Sequence, residues 1–127
     1  MAEPTGPLLR LAAPISFWGG VDPLTGRVIE ARHPNFGAEL AGTILCLPGA
    51  RGSSSGSSVL AEILRIGKGP RALVLAEPDG VLAVGALIAR ELYGIDCPVV
   101  LGQAPDLPDG TIVRVYDGRI AAVRAHR

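Results

Sequence analysis

From Leu8 onward the chain alternates short apolar runs with dense clusters of turn residues. Leu8 to Phe17 is apolar apart from Arg10, Pro14 and Ser16, which predicts a strand with Pro14 at an edge or bulge. Trp18-Gly19-Gly20-Val21-Asp22-Pro23-Leu24-Thr25-Gly26 reads as a loop, with Asp22 a turn-former whose carboxylate bonds the backbone. Arg27 to Ala31 predicts a short strand, and Arg32 to Glu39, with its His-Pro and Asn-Phe-Gly steps, a second loop. Thr43 to Leu47 is an unbroken apolar run between Gly42 and Pro48, the signature of a strand buried on both faces.

The middle of the chain changes period. After Gly49-Ala50-Arg51-Gly52-Ser53-Ser54-Ser55-Gly56-Ser57-Ser58, the apolar residues Val59, Leu60, Ile63 and Leu64 share one helical face, and Gly67 and Gly69 end that helix. Ala72 to Ala76 predicts another buried strand. Asp79 then caps a helix that runs to Tyr93 and stops at Gly94, and Pro98 to Leu101 is a further strand. Thr111 to Tyr116 and Arg119 to Arg124 flank Asp117-Gly118, the dipeptide preferred in a two-residue type I′ turn, so the chain should end in a hairpin. Strands alternating with two helices, followed by a hairpin, predict a mixed α/β domain with a parallel core and antiparallel strands from the termini.

Composition narrows the classes. At 127 residues the chain suits one domain spanning 1–127, with residues 1–7 as a flexible lead-in. The core is aliphatic, because 48% of residues are hydrophobic but only 4% are aromatic. Twelve basic residues against twelve acidic ones leave no electrostatic footprint for nucleic acid. No apolar run approaches the roughly 20 residues that cross a bilayer, so no membrane association is expected. Cys46 and Cys97 lie far apart in apolar runs, which suits buried, reduced thiols of a cytoplasmic protein rather than a metal-ligand set.

Chemistry is concentrated at Arg51 to Ser58. Small residues let backbone approach a ligand, a helix N-terminus attracts anions, and Arg51 can grip a carboxylate with two donors. The loop lacks the Lys-Ser/Thr ending of a nucleotide P-loop. The alternative is a serine-capped helix start without a ligand. A serine needs a base, a metal or an oxyanion environment to react, and the two histidines do not supply a hydrolase triad: His126 is next to the C-terminus, and His33 reads as a hydrogen-bonded loop residue. Trp18 is either core or the cover of a pocket or partner surface.

Ser16-Phe17-Trp18-Gly19-Gly20-Val21-Asp22-Pro23-Leu24-Thr25-Gly26, Arg32-His33-Pro34, Leu47-Pro48-Gly49-Ala50-Arg51-Gly52-Ser53-Ser54-Ser55-Gly56-Ser57, Glu77-Pro78-Asp79 and Ala83-Val84-Gly85-Ala86 occur in that order. Over roughly residues 8–101 they resemble the small, swivelling-domain subunit of aconitase X. The resemblance implies a swivelling β/β/α fold like the mobile fourth domain of aconitase, closing over a large subunit that carries an iron–sulfur cluster or iron. It implies hydro-lyase activity on a small hydroxy acid, with Ser53 as the proton acceptor. Arg51, Gly52, Ser54, Ser55 and Gly56 would contact substrate, and no metal would be held by this chain. The expected substrate is cis-3-hydroxy-L-proline. The alternative is phosphomevalonate, but a phosphate calls for further Lys or Arg, and between Pro48 and Ser58 only Arg51 is cationic. A stand-alone, non-catalytic carboxylate-binding module is the competing class.

Overall fold

The computed structural model describes residues 3–52 and 54–123. Its strands are β1 (Thr5–Arg10), β2 (Ile44–Leu47), β3 (Ala72–Leu75), β4 (Val99–Leu101), β5 (Ile112–Tyr116) and β6 (Arg119–Ala122). They form one sheet in the order β4-β3-β2-β1-β5-β6. β1 to β4 run parallel, while β5 pairs antiparallel with both β1 and β6. Parallel neighbours require crossover connections, and two of these are helices: α2 (Gly56–Arg65) between β2 and β3, and α3 (Gly80–Tyr93) between β3 and β4. A single distorted turn, α1 (Phe17–Gly20), lies in the long connection from β1 to β2.

Strand pleating explains the two-sided core. Odd-numbered positions Leu9, Leu45, Leu73 and Val99 lie in register across the parallel strands and face the helices. Even-numbered Leu8, Ile44 and Ala72 form the adjacent row and pack with Cys46, Val74, Val113 and Val115 on the other face. Both faces of β2 and β3 are therefore buried, which is why those runs carry no polar residue. The connection from β1 to β2 joins the helix side through Leu11, Ile15, Phe17, Val21, Val28 and Leu40.

Several elements meet the sequence-based expectation closely. Asp79 caps α3 by accepting from Leu82 N at 3.0 Å, and Gly94 ends it in the left-handed conformation. Asp117 and Gly118 have φ of 50° and 70°, as the type I′ hairpin requires. The described part of the last strand is Arg119–Ala122; Arg124 lies outside the described residues.

Two strands differ from expectation. The first begins at Thr5 rather than Leu8, and residues 5–7, expected as a flexible lead-in, pair with β5. It ends at Arg10 because the Asn35 side chain takes over the backbone there: its Nδ2 donates to Arg10 O at 3.1 Å and its Oδ1 accepts from Ala12 N at 2.8 Å. Pro14 is thus in a connection, not in a strand. Arg27 to Ala31 forms only isolated bridges, Val21 with Val28 and Arg27 with Glu39, because it folds back on its own flanking loops and not onto the sheet. No helix of the described residues is long and apolar enough to cross a membrane.

Candidate active site

The serine loop leaves the C-terminal end of β2 and opens into α2, and three other parts of the chain hold it in place. Ile15 forms a parallel bridge with Ala50, and Arg51 N donates to Ile15 O at 3.1 Å. Ala50 N donates to Asp79 Oδ2 at 2.9 Å, so one carboxylate both caps α3 and anchors the loop. Gly52 has φ of +88°, and a Cβ there would lie 2.7 Å from Ser16 Oγ, so position 52 needs glycine for conformation and for space. Ser16 Oγ in turn donates to Trp18 O at 2.8 Å.

Gly56 opens α2 buried against Phe17 Cβ and Val81 Cγ1. Ser54 O accepts both Ser57 N at 3.1 Å and Ser57 Oγ at 2.9 Å, and Ser55 is the N-cap residue. Ser54 and Ser55 are exposed, as a ligand-facing surface requires. Ser58 N at 3.1 Å and Val59 N at 3.4 Å donate to Ser55 O, so the backbone of Ser54 and Ser55 closes the first turn of α2, and the positive end of the helix dipole lies at this rim. Ser53 lies outside the described residues, between Gly52 and Ser54 in the sequence.

Arg51 does hold a carboxylate with two hydrogen bonds, but it is an internal one. Its Nη2 lies 3.0 Å from Oε2 and 3.2 Å from Oε1 of Glu30. Sequence reasoning missed Glu30, which sits in a nondescript stretch 21 positions away. The only hint was its place just before the Arg32-His33-Pro34 motif.

His33 is buried and structural. Its Nδ1 accepts from Asn35 N at 3.0 Å and its Nε2 reaches Ala13 O at 2.9 Å, so the ring donates through Nε2. The His33–Asn35 loop thereby clasps the chain as it leaves β1. Asp22 Oδ1 accepts from Leu24 N at 2.9 Å, the turn-forming role expected of it. His126 lies outside the described residues.

Trp18 is 60% exposed and lines a shallow apolar groove with Gly19, Val21, Pro23, Ile29 and Val59, next to the serine loop. It is therefore surface, not core. The two cysteines do not converge: Cys46 packs on one face of the sheet and Cys97 on the helix side. Burial pushes the Cys46 thiol up to about 11 and the Cys97 thiol up to about 12. Among the described residues no group of three or more His, Cys, Asp or Glu is placed to hold a metal ion.

The family model of the aconitase X swivel domain matches residues 2–123. Cis-3-hydroxy-L-proline dehydratase of Pseudomonas aeruginosa is 46% identical over 118 residues, covering 91% of this chain and 20% of that protein. The chain thus spans about a fifth of the length of that dehydratase. Phosphomevalonate dehydratase small subunit of Methanocella arvoryzae is 41% identical over 113 residues, covering 87% of this chain and 83% of that one. The crystal structure of Thermococcus kodakaraensis aconitase X in its holo-form superposes with a TM-score of 0.81 at 31% identity, over 97% of this chain and 92% of that one.

Proposed function

The chain belongs to the aconitase X swivel-domain family, and from that premise we propose that it is the small, swivelling subunit of a hydro-lyase whose active site is completed by a large subunit. The observation that carries this reading is the serine loop itself. Ala50 to Gly52 and Ser54 to Gly56 lead into the N-terminus of α2, with Ala50 bonded to Asp79, Arg51 bonded to Ile15 and Gly52 packed beside Ser16.

In this role Ser53 takes the proton from the carbon α to the substrate carboxylate. The electrons of that C–H bond form a C=C bond to the neighbouring carbon as its C–O bond breaks, and the departing hydroxide takes up the proton held by Ser53, so that water is released and the serine returns to its alkoxide. A serine accepts a proton only where positive potential stabilises its alkoxide, which the α2 N-terminus and Arg51 provide. Ser54, Ser55 and the backbone at Gly56 orient the carboxylate. An iron–sulfur cluster or iron, if the enzyme uses one, belongs to the large subunit, because the buried Cys46 and Cys97 cannot supply its ligands.

The substrate we propose is cis-3-hydroxy-L-proline. Two observations favour it over phosphomevalonate: identity is higher to the Pseudomonas aeruginosa enzyme of that name, and between Pro48 and Ser58 the loop carries a single cation, Arg51, where a substrate with a phosphate as well as a carboxylate calls for more. A large subunit that closes over the loop would also cover the exposed Trp18 and its apolar groove, consistent with aromatic enrichment at interfaces.

The test is co-expression with the large subunit, co-purification, and a dehydration assay on cis-3-hydroxy-L-proline with phosphomevalonate as comparison. Turnover of the first is expected. Turnover of phosphomevalonate alone would overturn the substrate, and a chain that binds no large subunit would favour the stand-alone carboxylate-binding module.

A further inference from the structure

We infer that Glu30 is a positioning residue for Arg51, fixing its guanidinium so that the donors not spent on Glu30 meet the substrate carboxylate. The inference rests on the proposed role of Arg51 as a substrate contact. A guanidinium has five N–H donors in a rigid plane. Glu30 engages only Nη2, with both carboxylate oxygens, and this leaves the hydrogens on Nε and Nη1 outside the pair. A flexible arginine on a loop pays rotamer entropy each time it binds, whereas one already held in place pays less.

The surroundings of Glu30 indicate that its position is itself built. Arg51 has a side chain 60% exposed, but that of Glu30 is only 27% exposed. The backbone beside Glu30 is held on both sides: Ile29 N donates to Gly20 O at 2.8 Å, and His33 N donates to Glu30 O at 3.0 Å. His33 is buried and bonded through both ring nitrogens. At Gly20 a Cβ would lie 2.9 Å from Ile15 Cγ1, too close for a side chain, and 3.6 Å from Glu30 Oε1, so this glycine lies directly beside the carboxylate. Gly20 of the Trp-Gly-Gly motif and His33 of the Arg-His-Pro motif thus act together to seat Glu30.

A positioning role makes Glu30 and Arg51 one unit, and effects within a unit do not add. The experiment is a kinetic cycle on the assembled two-subunit enzyme with cis-3-hydroxy-L-proline: wild type, Glu30→Ala, Arg51→Ala and both together. Glu30→Ala should raise KM by about tenfold with a much smaller change in kcat, and the double variant should be no worse than Arg51→Ala alone. Glu30→Gln, which keeps the shape and one acceptor oxygen, should fall between Glu30→Ala and wild type. A Glu30→Ala enzyme with unchanged KM, or effects that multiply in the double variant, would overturn the inference. If Arg51→Ala itself leaves KM unchanged, the substrate-contact reading fails first. Nitrogen relaxation NMR of the Arg51 side chain in the full small chain gives a readout free of turnover. An ordered Nε–H in wild type that becomes motionally averaged in Glu30→Ala is expected, and identical behaviour in the two would overturn the inference even if the assembled enzyme turned over neither substrate.

Discussion

Asp79 places its Oδ1 3.0 Å from Leu82 N and its Oδ2 2.9 Å from Ala50 N, so a single side chain ties the first turn of α3 to the loop that leaves β2. The two oxygens do different work, and substitutions separate them. Asn at position 79 keeps an acceptor for the helix cap but turns an amide toward Ala50 N, where only an acceptor serves. Asp79→Asn should therefore cost about 1 kcal/mol, from one lost hydrogen bond, while Asp79→Ala loses cap and tether together and should cost roughly 2–3 kcal/mol. Urea unfolding of the three proteins measures both.

Gly52→Ala is expected to damage the site more than its exposure suggests. It forces a side chain into positive φ and against Ser16 Oγ, which is bonded to Trp18 O. The cost should be about 1–3 kcal/mol in unfolding free energy, with loss of activity in the assembled enzyme. Unfolding and activity both at the wild-type level would mean that the loop tolerates a different path.

Gly85→Ala reverses the usual helix rule. Alanine in a helix interior is ordinarily favoured by about 1 kcal/mol over glycine. Here the new Cβ would lie 2.8 Å from Ser57 O and 3.0 Å from Leu60 Cβ, because α3 crosses α2 at that point. A backbone carbonyl cannot move aside without shifting α2, so net destabilisation of about 1–2 kcal/mol is expected in thermal or urea unfolding. Since Ser57 is in the first turn of α2, the same change should weaken substrate binding.

The cysteines give a pH prediction with a definite sign. Both thiols are raised by burial, to about 11 for Cys46 and about 12 for Cys97, from an ordinary value of 9.0. The unfolded chain loses those protons first, so their contribution to stability is complete below pH 9 and declines as pH rises from there toward 11 and 12. Stability measured between about pH 6 and 7.5 should show almost no cysteine-linked slope, and it should fall steadily above about pH 9. In a thiol-labelling assay at pH 8 the folded chain should leave both cysteines unmodified and the denatured chain should expose both.

Much of the fold was legible because the decisive signals were local. The apolar runs at Thr43–Leu47 and Ala72–Ala76 mark strands covered on both faces, the Asp79 and Gly94 pair marks both ends of α3, and Asp117-Gly118 marks the hairpin. The misassignments came from long-range contacts. Nothing near Pro14 announces that Asn35 will capture the backbone on either side of Leu11, and Arg27 to Ala31 has strand composition but bridges to its own flanking loops, at Val21 and Glu39, instead of the sheet. The serine loop was visible as composition and as a motif, and the structure adds its supports at Ile15, Ser16 and Asp79. Glu30 was hidden because a carboxylate 21 positions from its arginine has no spacing rule to reveal it.

The Glu30–Arg51 pair also shows why stability alone is a poor guide to the site. Exposed ion pairs contribute about 0–1 kcal/mol, so Arg51→Ala should leave unfolding nearly unchanged while it impairs substrate binding.

The most direct test of the shared-site account is Ser53→Ala in the small chain, co-expressed and co-purified with the large subunit and assayed for dehydration of cis-3-hydroxy-L-proline. The account predicts an intact complex in which turnover is abolished. An intact complex that dehydrates the substrate at the wild-type rate would contradict it, because the proton would then be taken by a group that this loop does not supply.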